Sequence, residues 1–508
     1  MHSASIVVDP AFTIAPVRRG LFGSFVEHLG RCVYTGIYEP GHPTADAQGF
    51  RGDVLALARE MGVSTVRYPG GNFVSGYRWE DGVGPVDQRP HRLDLAWHST
   101  ETNAFGLHEF LAWTEAAGVQ PMMAVNLGTR GLPEALDLLE YTNRRSGTAL
   151  ADQRRANGAE EPFGITFWCL GNEMDGPWQL GHKTAGEYGR LAAETARGMR
   201  QIQPDLTLVA CGSSSSGMAT FGEWEREVLE EAYDQVDMIS AHAYYHEQDG
   251  DLASFLASAE DLDHFVAAVV ATADAVRARR HATKHIQLSF DEWNVWYHED
   301  ESKLPQGEDW PQAPRLEEDV YTVADAVVVG NLLISLLRNS DRVHSASQAQ
   351  LVNALAPIMT EPGGPAWRQT TFHPFALTSR HARGQVLRVA VDAPRYPNAR
   401  FGESALVDAV ATHDAETGEI AVFAVNRAID GPTRLRIDLR GLAAAPRVVE
   451  ALTYAHHDHH WRATKDDAGT VLPRENSTVE VGTDGAAGTL SVELPAVSWS
   501  VLRLAVAG

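Results

Sequence analysis

The stretch GITFWCLGNE at residues 164–173 carries the pattern that decides the fold of this chain. Its segment ITFWCL is apolar or β-branched throughout, which is typical of a strand buried on both faces of a parallel sheet. The strand is followed at once by Gly171, Asn172 and Glu173. Polar side chains directly after a buried strand indicate the carboxyl edge of an α/β sheet, where such folds place their chemistry. We therefore predict a parallel α/β fold with a functional edge here.

Seven further runs of the same kind lie on either side of this segment, and amphipathic stretches that predict helices separate them. The eight runs are LFGSFVEH (21–28), STVRYPGG (64–71), QPMMAVNLG (120–128), GITFWCLGNE (164–173), TLVACGSS (207–214), MISAHAYY (238–245), HIQLSFDEW (285–293) and RVHSASQAQLVN (342–353). Predicted helices include 53–62, 107–118, 186–202 and a long segment at 252–280. Eight strand–helix pairs predict a (β/α)₈ barrel. A dinucleotide-binding sheet would need a GxGxxG spacing, which PGGN at 69–72 lacks.

After about Gly384 the chain contains alternating strands without helices between them, which predicts an all-β sandwich. The opening segment SIVVDPAFTI reads as another strand, and we expect it to cross over and join that sandwich. The predicted domains are a catalytic barrel at 18–384 and a sandwich formed by 1–17 together with 385–508.

Charge and composition restrict the partners. Lys and Arg number 42 against 67 Asp and Glu, so the formal charge of the 508-residue chain is −25. Such a charge repels phosphate backbones and anionic membranes, so we expect neither nucleic acid nor membrane as a partner. The longest apolar stretch, at 326–337, is too short to span a bilayer. Three cysteines without CxxC spacing and a start that lacks a secretory pattern predict a cytoplasmic protein.

Two glutamates stand out among the polar residues at the predicted strand ends. Glu173 ends the fourth strand and Glu292, within LSFDEW, ends the seventh. Strands four and seven lie across an eight-stranded barrel, so these carboxyl groups can face each other over its mouth. A carboxylate that follows a buried strand must be paired, hydrogen-bonded or functional. Two opposed carboxyl groups are what glycoside hydrolysis requires, with one as acid/base and the other as nucleophile or base.

Four longer sequence segments show a more specific resemblance to a known family. GSFVEHLGRCVYTGIYEP (23–40), VRYPGGNFVSGYRWEDGVGP (66–85), GNEMDGPWQLGHK (171–183) and FDEWNVWYH (290–298) resemble the α-L-arabinofuranosidases of glycoside hydrolase family 51. The resemblance implies an exo-acting, retaining enzyme that releases terminal L-arabinofuranose from arabinan or arabinoxylan oligosaccharides. It also implies a homo-oligomer, commonly a hexamer. The acid/base falls on Glu173 and the nucleophile on Glu292, and the sugar-binding positions fall on Glu27, Arg67, Asn72, Asn172, Tyr244 and Gln350.

Each of these residue types suits its predicted role. Asn172 can donate to the sugar 2-hydroxyl, and Tyr244 can hydrogen-bond the ionised nucleophile. We expect Trp296 to form an apolar wall for the furanose ring and His242 to join the sugar-binding group. Retention of configuration predicts carboxyl groups about 5–5.5 Å apart, against more than about 6.5 Å for inversion.

Three alternatives remain from the sequence. The LGNE and DEW motifs alone also fit a barrel glycosidase that acts on xylosides or β-glucans. A non-catalytic glycan-binding protein would be expected to have lost one carboxylate, and both are present. A metal-dependent barrel hydrolase needs a His/Asp cluster at the strand ends, for which His28 and His242 are too few. We expect neither a metal nor a cofactor, and we interpret the His-rich run at 455–462 as a solvated loop far from the barrel mouth.

Overall fold

A parallel β-barrel forms the centre of the computed structural model, which describes residues 1–297, 305, 307–442, 446–484 and 487–505. Its eight strands pair with their sequence neighbours, all in parallel, and the eighth closes onto the first. The barrel strands, numbered one to eight here, are Gly23–Phe25, Thr65–Tyr68, Gln120–Val125, Phe167–Leu170, Thr207–Ala210, Met238–Tyr245, Gln287–Val295 and Val343–Gln348. Seven predicted runs therefore contain a barrel strand, the run at 285–293 overlaps one that extends two residues further, and the predicted barrel is confirmed.

Helices follow every barrel strand and surround the barrel. They are Gly52–Met61, Leu107–Ala117, Leu132–Asn143, Ala149–Ala156, Ala185–Ile202, Glu223–Ala232, Leu252–Leu256, Ala259–Arg280, Val323–Arg338 and Phe372–His381. The first two end as predicted, because Gly62 and Gly118 adopt left-handed backbone angles with φ of 74° and 75°. The segment predicted as one long helix at 252–280 is instead two helices. Asp251 caps the first, and the Ser258 hydroxyl donates back to the Phe255 carbonyl where that helix has ended.

A β-sandwich packs beside the barrel and contains the first and the last strand of the described chain. Its first sheet consists, in spatial order, of Ala390–Asp392, His2–Val8, Thr433–Leu439, Ala487–Leu494 and Glu480–Asp484. The second consists of Thr13–Pro16, Gln385–Leu387, Val407–Asp414, Glu419–Asn426, Ser498–Ala505, Arg447–Tyr454 and Arg474–Glu475. The N-terminal strand does join the sandwich, pairing in parallel with Thr433–Leu439. The short run QVLRVAVDA at 385–393 divides between the two sheets.

We propose the domain division at 17/18 and 384/385 from the arrangement of apolar side chains. One hydrophobic cluster is built only from residues in 4–8 and 387–504, and it fills the space between the two sheets. Within the proposed sandwich, residues 443–445, 485–486 and 506–508 lie outside the described part of the chain, as do 298–304 and 306 within the barrel.

The apolar stretch at 326–337 belongs to helix Val323–Arg338, which is buried on all sides between barrel and sandwich. Gly330 lies against Trp499 of the sandwich, and the Asn331 amide donates to Asp408 at 2.8 Å. Burial by a second domain explains why this helix is apolar all round. Across the described residues, no helix combines the length and the apolar character needed to cross a bilayer.

The connection after barrel strand two covers part of the barrel mouth. Between Tyr68 and the helix that starts at Leu107 it forms three short 3₁₀ turns, Asn72–Ser75, Trp79–Gly82 and Val86–Gln88. A hairpin of Arg92–Asp94 and Ser99–Glu101 follows them. Smaller features elsewhere are the turn Arg19–Phe22 and the hairpins Ile358–Thr360 with Ala366–Arg368 and Arg395–Asn398 with Gly402–Ala405.

Candidate active site

Two glutamates face each other at the carboxyl end of the barrel. Glu173 follows strand four and Glu292 lies in strand seven. The Nδ1 atom of His242, on strand six, is 2.8 Å from Glu173 Oε1 and 3.7 Å from Glu292 Oε2. One oxygen of each carboxyl group and this nitrogen all lie within 4.8 Å of one another. The barrel thus brings together two carboxyl groups that are more than a hundred residues apart in sequence.

The surroundings of Glu292 favour its ionised form. Arg67 Nη1 donates to Oε1 at 2.8 Å, and the Tyr244 hydroxyl donates to Oε2 at 2.7 Å. Burial alone would raise the pKa of this carboxyl group, but the charges of His242 and Arg67 and these two hydrogen bonds outweigh it and hold the pKa below its usual value. Glu292 is therefore an anion fixed in one orientation, as a nucleophile needs to be.

Glu173 has different neighbours. Its Oε1 contacts His242, and its Oε2 accepts a hydrogen bond from Trp178 Nε1 at 2.6 Å. No arginine of the described chain contacts it, whereas Glu292 has Arg67. Its backbone is left-handed, with φ of 42°, a conformation that few residues other than glycine adopt and that clusters at functional sites. Two carboxyl groups in such different environments are suited to two different chemical roles.

His242 lies between the two carboxyl groups. It is buried, and burial lowers its pKa, yet the charge of Glu292 and the hydrogen bond with Glu173 outweigh this and raise the pKa overall. A histidine in this position links the charge states of both glutamates. The sequence grouped it with the sugar-binding residues, and its contacts place it beside both glutamates.

A second group of polar residues lies beside the pair. The Glu27 carboxylate accepts from the Phe73 amide at 2.9 Å, from Trp97 Nε1 at 3.1 Å and from Gln350 Nε2 at 2.9 Å. Burial raises the pKa of Glu27 to about 8. The side-chain oxygen of Gln350, Oε1, is buried and has no hydrogen-bond partner among the described residues. A buried acceptor of this kind is suited to bind a hydroxyl group of a ligand.

Asn172 is held between the two groups. Its Oδ1 accepts from Arg67 Nη2 at 2.7 Å, and its Nδ2 donates to Gln179 at 3.2 Å. Arg67 therefore fixes Glu292 and Asn172 together.

Asn72 and Trp296 complete the predicted set. Asn72 is half-buried and begins the turn Asn72–Ser75, where it lines a cavity beside Trp178. Trp296 follows strand seven, with its ring edge-on to Tyr244 at 5.1 Å, and its indole donates to Glu317 at 2.6 Å. The structure thus brings the ten predicted site residues to one end of the barrel.

Some contacts of the site were not predicted. No role was predicted for Trp178, Gln179 or Glu317, which contact Glu173, Asn172 and Trp296 respectively. Trp178 stands five residues after Glu173 in GNEMDGPW, and that proximity was an available signal. Trp97, in the loop after strand two, contacts Glu27 directly. Trp79 of the same loop is buried and packs against Tyr141.

Glu173, His242 and Glu292 are also close enough to offer three ligand atoms to a metal ion. A cation there would face the guanidinium of Arg67, which is only 2.8 Å from Glu292 Oε1. The charge balance of the cluster is thus already met by an arginine. His28 is engaged elsewhere, with its ring nitrogens 2.8 Å from Glu101 and 2.8 Å from the Tyr68 hydroxyl.

The His-rich loop lies closer to the barrel than we expected. The carbonyl groups of His459 and Trp461 accept from the first amides of helix Val323–Arg338, and His460 is 3.8 Å from Glu247. Glu247 follows barrel strand six, so the loop reaches the rim of the barrel. The expectation that it is remote from the mouth was wrong, because the sandwich packs against the helix that follows strand seven.

Comparisons with known proteins point to one family. Residues 57–266 match the family described as the α-L-arabinofuranosidase 1 domain, and residues 291–498 match the α-L-arabinofuranosidase C-terminal domain. An intracellular exo-α-(1→5)-L-arabinofuranosidase of Streptomyces lividans is 59% identical over 99% of this chain and 76% of its own length. An exo-α-(1→6)-L-arabinofuranosidase of Bifidobacterium longum is 56% identical over 99% and 98%.

Among solved structures, a family 51 α-L-arabinofuranosidase from Bifidobacterium longum superposes with a TM-score of 0.94 at 50% identity and covers 99% of both chains. Two opposed carboxyl groups on a (β/α)₈ barrel, with full-length similarity to such enzymes, lead to one conclusion. The chain belongs to the α-L-arabinofuranosidases of glycoside hydrolase family 51.

Proposed function

We propose that this enzyme releases L-arabinofuranose by double displacement, with Glu292 as nucleophile and Glu173 as acid/base. The enzyme is a glycoside hydrolase that acts on terminal α-L-arabinofuranosides. The observation that carries the mechanism is the short gap between the carboxyl groups, with oxygens within 4.8 Å. Retaining enzymes keep their carboxyl groups about 5–5.5 Å apart, whereas inverting enzymes leave about 6.5–9.5 Å for a water molecule. The distance supports retention.

In the first step the ionised Oε of Glu292 attacks the anomeric carbon, while the protonated Glu173 gives its proton to the departing oxygen. The product is a glycosyl-enzyme ester at Glu292. Glu173, now ionised, no longer has a charged carboxylate beside it, because esterification has removed the charge of Glu292. It takes a proton from water, which attacks the ester and releases arabinose with its original configuration.

The neighbouring residues support this division of roles. Arg67 and Tyr244 both hold Glu292, the group that must be an anion before attack. Asn172, Glu27 and Gln350 form the proposed hydroxyl-binding group, Asn72 extends it, and Trp296 with Tyr244 provides an aromatic wall. As charge develops on the sugar, hydrogen bonds to its hydroxyl groups strengthen.

Azide rescue of two variants tests the assignment. With an aryl α-L-arabinofuranoside, the kcat of Glu173→Ala and of Glu292→Ala is expected to fall by about 10²- to 10⁴-fold. Azide should then give the α-arabinosyl azide with Glu173→Ala, since it attacks the ester, and the β-azide with Glu292→Ala, since it attacks the substrate directly. NMR of the products distinguishes the two. Glu194→Ala, at a half-buried glutamate that pairs with Arg197 on helix Ala185–Ile202, serves as a control that stays active. Full activity in Glu292→Ala, or the same azide anomer from both variants, contradicts the assignment.

The identity of the leaving group and the cellular location of the enzyme are also proposals. The relatives carry the names (1→5) and (1→6), and we propose arabinan- and arabinoxylan-derived oligosaccharides as substrates. The Streptomyces relative is named intracellular, and we propose the cytoplasm for this enzyme as well. Product release over a panel of these oligosaccharides tests the preference, with aryl xyloside and glucoside to test the alternative glycosidases. Activity that is unchanged in excess chelator is the expected result for a site without a metal.

We further propose a homohexamer, which rests on the family resemblance alone. Light scattering coupled to size-exclusion chromatography should give six times the monomer mass.

A further inference from the structure

A groove extends away from the catalytic pair on the side of Glu173. It starts at Trp178, whose indole nitrogen donates to Glu173, and opens into a cavity of about 340 Å³ that Asn72 also lines. A second cavity of about 720 Å³ continues from the first. Four residues line both cavities and join them, namely Gly76, Asp94, Leu95 and Leu180. We call this continuous space the leaving-group groove.

Apolar side chains that a folded chain normally buries are exposed along this groove. Leu93 and Leu95 are 57% and 62% exposed, and Trp178 and Leu180 are 51% and 40% exposed. They come from two different loops, the hairpin after strand two and the loop after strand four. Exposed apolar residues that gather in one concave place mark a binding surface.

Two arginines that line the larger cavity, Arg92 and Arg130, already have carboxylate partners. Arg92 donates to Asp81 at 2.9 Å, and Arg130 donates to Glu80 at 2.5 Å and lies 3.6 Å from Glu134. A ligand with negative charge would have to compete with these carboxylates. The combination of apolar walls and paired polar groups instead suits a neutral, hydroxyl-rich chain, whose C–H faces contact leucine and whose hydroxyl groups hydrogen-bond the ion pairs.

We propose that the leaving-group groove binds the part of a neutral oligosaccharide that lies beyond the sugar bonded to the arabinose. The proposal rests on the proposed function, because Glu173 as acid must stand on the side of the departing oxygen, and Trp178 connects that side to the groove. The two cavities extend beyond the position of the first leaving sugar. The groove therefore discriminates between substrates by chain length as well as by linkage. Binding energy from these remote sugars becomes available to the reaction at the arabinose.

Chain-length kinetics test this proposal. In the unmodified enzyme, kcat/KM should rise by about 5- to 50-fold from the arabinose disaccharide to longer arabino-oligosaccharides, as remote contacts are added. Leu93→Asn, and Leu93→Asn combined with Leu95→Asn, should lose most of that rise. Both variants should keep kcat/KM on 4-nitrophenyl α-L-arabinofuranoside within about twofold, because the single aryl ring occupies only the start of the groove beside Trp178. Leu472→Asn, at a leucine that is 42% exposed on the sandwich, is the matched control and should keep the full rise.

Three results would overturn the proposal. They are a flat chain-length profile in the unmodified enzyme, an equal loss on the short and long substrates in the groove variants, and a change of oligomeric state in those variants. The last would mean that the groove is a contact with a second copy of the chain. The proposed function fails separately, if the unmodified enzyme does not hydrolyse the 4-nitrophenyl substrate.

Discussion

Glu292 shows how single residues set the chemistry of this site. Burial opposes its charge, and the lowered pKa results from His242, Arg67 and Tyr244 acting together. The same attraction between the two groups raises the pKa of His242. Because a proton on one group is favoured by the charge of the other, the pair titrates as a unit and its pH dependence belongs to both.

Replacing Tyr244 by phenylalanine is expected to move the acidic limb of the pH profile. The hydroxyl donates to Oε2 of the ionised form, so its loss raises the pKa of Glu292. Ionised Glu292 is then lost at a higher pH, and the acidic limb of kcat/KM should shift upward by about one pH unit. A hydrogen bond to a charged group contributes about 1.5–3 kcal/mol, so kcat/KM at the optimum should fall by about 10- to 100-fold.

The control for this change is Tyr245→Phe. Tyr245 is the next residue on strand six, and its hydroxyl donates to Asp261 at 3.0 Å, outside the site. The acidic limb of the kcat/KM profile of Tyr245→Phe should coincide with that of the unmodified enzyme. An unmoved limb in Tyr244→Phe would mean that this hydrogen bond does not set the charge of Glu292.

Much of the site could be predicted at the residue scale because strand ends converge in a barrel. Glu173 and Glu292 follow from this rule together with the need for two carboxyl groups. Trp178 and Glu317 could not be derived in this way, because each reaches the site through the path of a loop rather than the direction of a strand. His242 was found, but its position between the two carboxyl groups depends on side-chain geometry.

The hairpin of Arg92–Asp94 and Ser99–Glu101 is the element that carries Trp97 to Glu27. It is fastened to the segment after strand seven. The His98 ring stacks on Trp310 at 3.7 Å, the Thr100 amide donates to the Pro311 carbonyl at 3.0 Å, and the Thr100 hydroxyl donates to the Trp310 carbonyl at 2.7 Å. Two loops from nearly opposite strands thus hold each other over the barrel mouth.

Removing the ring of Trp310 is expected to loosen substrate binding. In Trp310→Ala the hairpin loses its stacking partner, so Trp97 no longer holds Glu27 firmly in the proposed hydroxyl-binding group. KM should rise by about 3- to 10-fold while kcat falls less than twofold, because Glu173 and Glu292 are not touched. Trp310→Phe keeps a ring over His98 and should restore most of the affinity. Steady-state kinetics on an aryl arabinofuranoside measure both constants, and an unchanged KM in Trp310→Ala would show that the stack does not position Glu27.

Elements with a strong hydrophobic period were predicted correctly, and irregular ones were not. The eight barrel strands and the glycine-terminated helices follow from local pattern. The break at Ser258 was not predicted, because a serine hydroxyl that donates to the carbonyl of Phe255 does not alter the spacing of apolar residues. The hairpin inside the loop after strand two is stabilised by contacts with a segment more than two hundred residues away, which no local window contains.

At the scale of the whole molecule, one helix joins the two domains. Helix Val323–Arg338 follows strand seven, which carries Glu292, and its other side packs on the sandwich. Arg338 and Asn331 both donate to Asp408 of the sandwich, and Arg427 approaches Asp408 at 3.3 Å. Burial raises the pKa of Asp408, but the two arginines outweigh it, so the carboxylate stays ionised. The sandwich therefore supports the catalytic barrel through a buried, charge-balanced contact.

Gly330 is the point where this support is tightest, and Gly330→Ala tests it. A Cβ atom there would lie 2.2 Å from Trp499 Cδ1, and Trp499 is fully buried and cannot move away. Alanine gains about 1 kcal/mol of helix propensity over glycine, while overpacking costs about 1–3 kcal/mol. A contact this short needs a backbone shift, so we expect the cost of overpacking to exceed the gain in helix propensity. The Tm should then fall by a few degrees.

Gly186→Ala provides the matched control in another helix. Its Cβ would meet only a flexible carboxylate, Glu227, at 3.4 Å, so helix propensity should dominate and Tm should stay or rise slightly. Differential scanning calorimetry of both variants beside the unmodified enzyme gives the comparison. If Gly330→Ala is as stable as Gly186→Ala, the sandwich is not packed tightly on this helix, and its support of strand seven has to come from the Asp408 contacts instead.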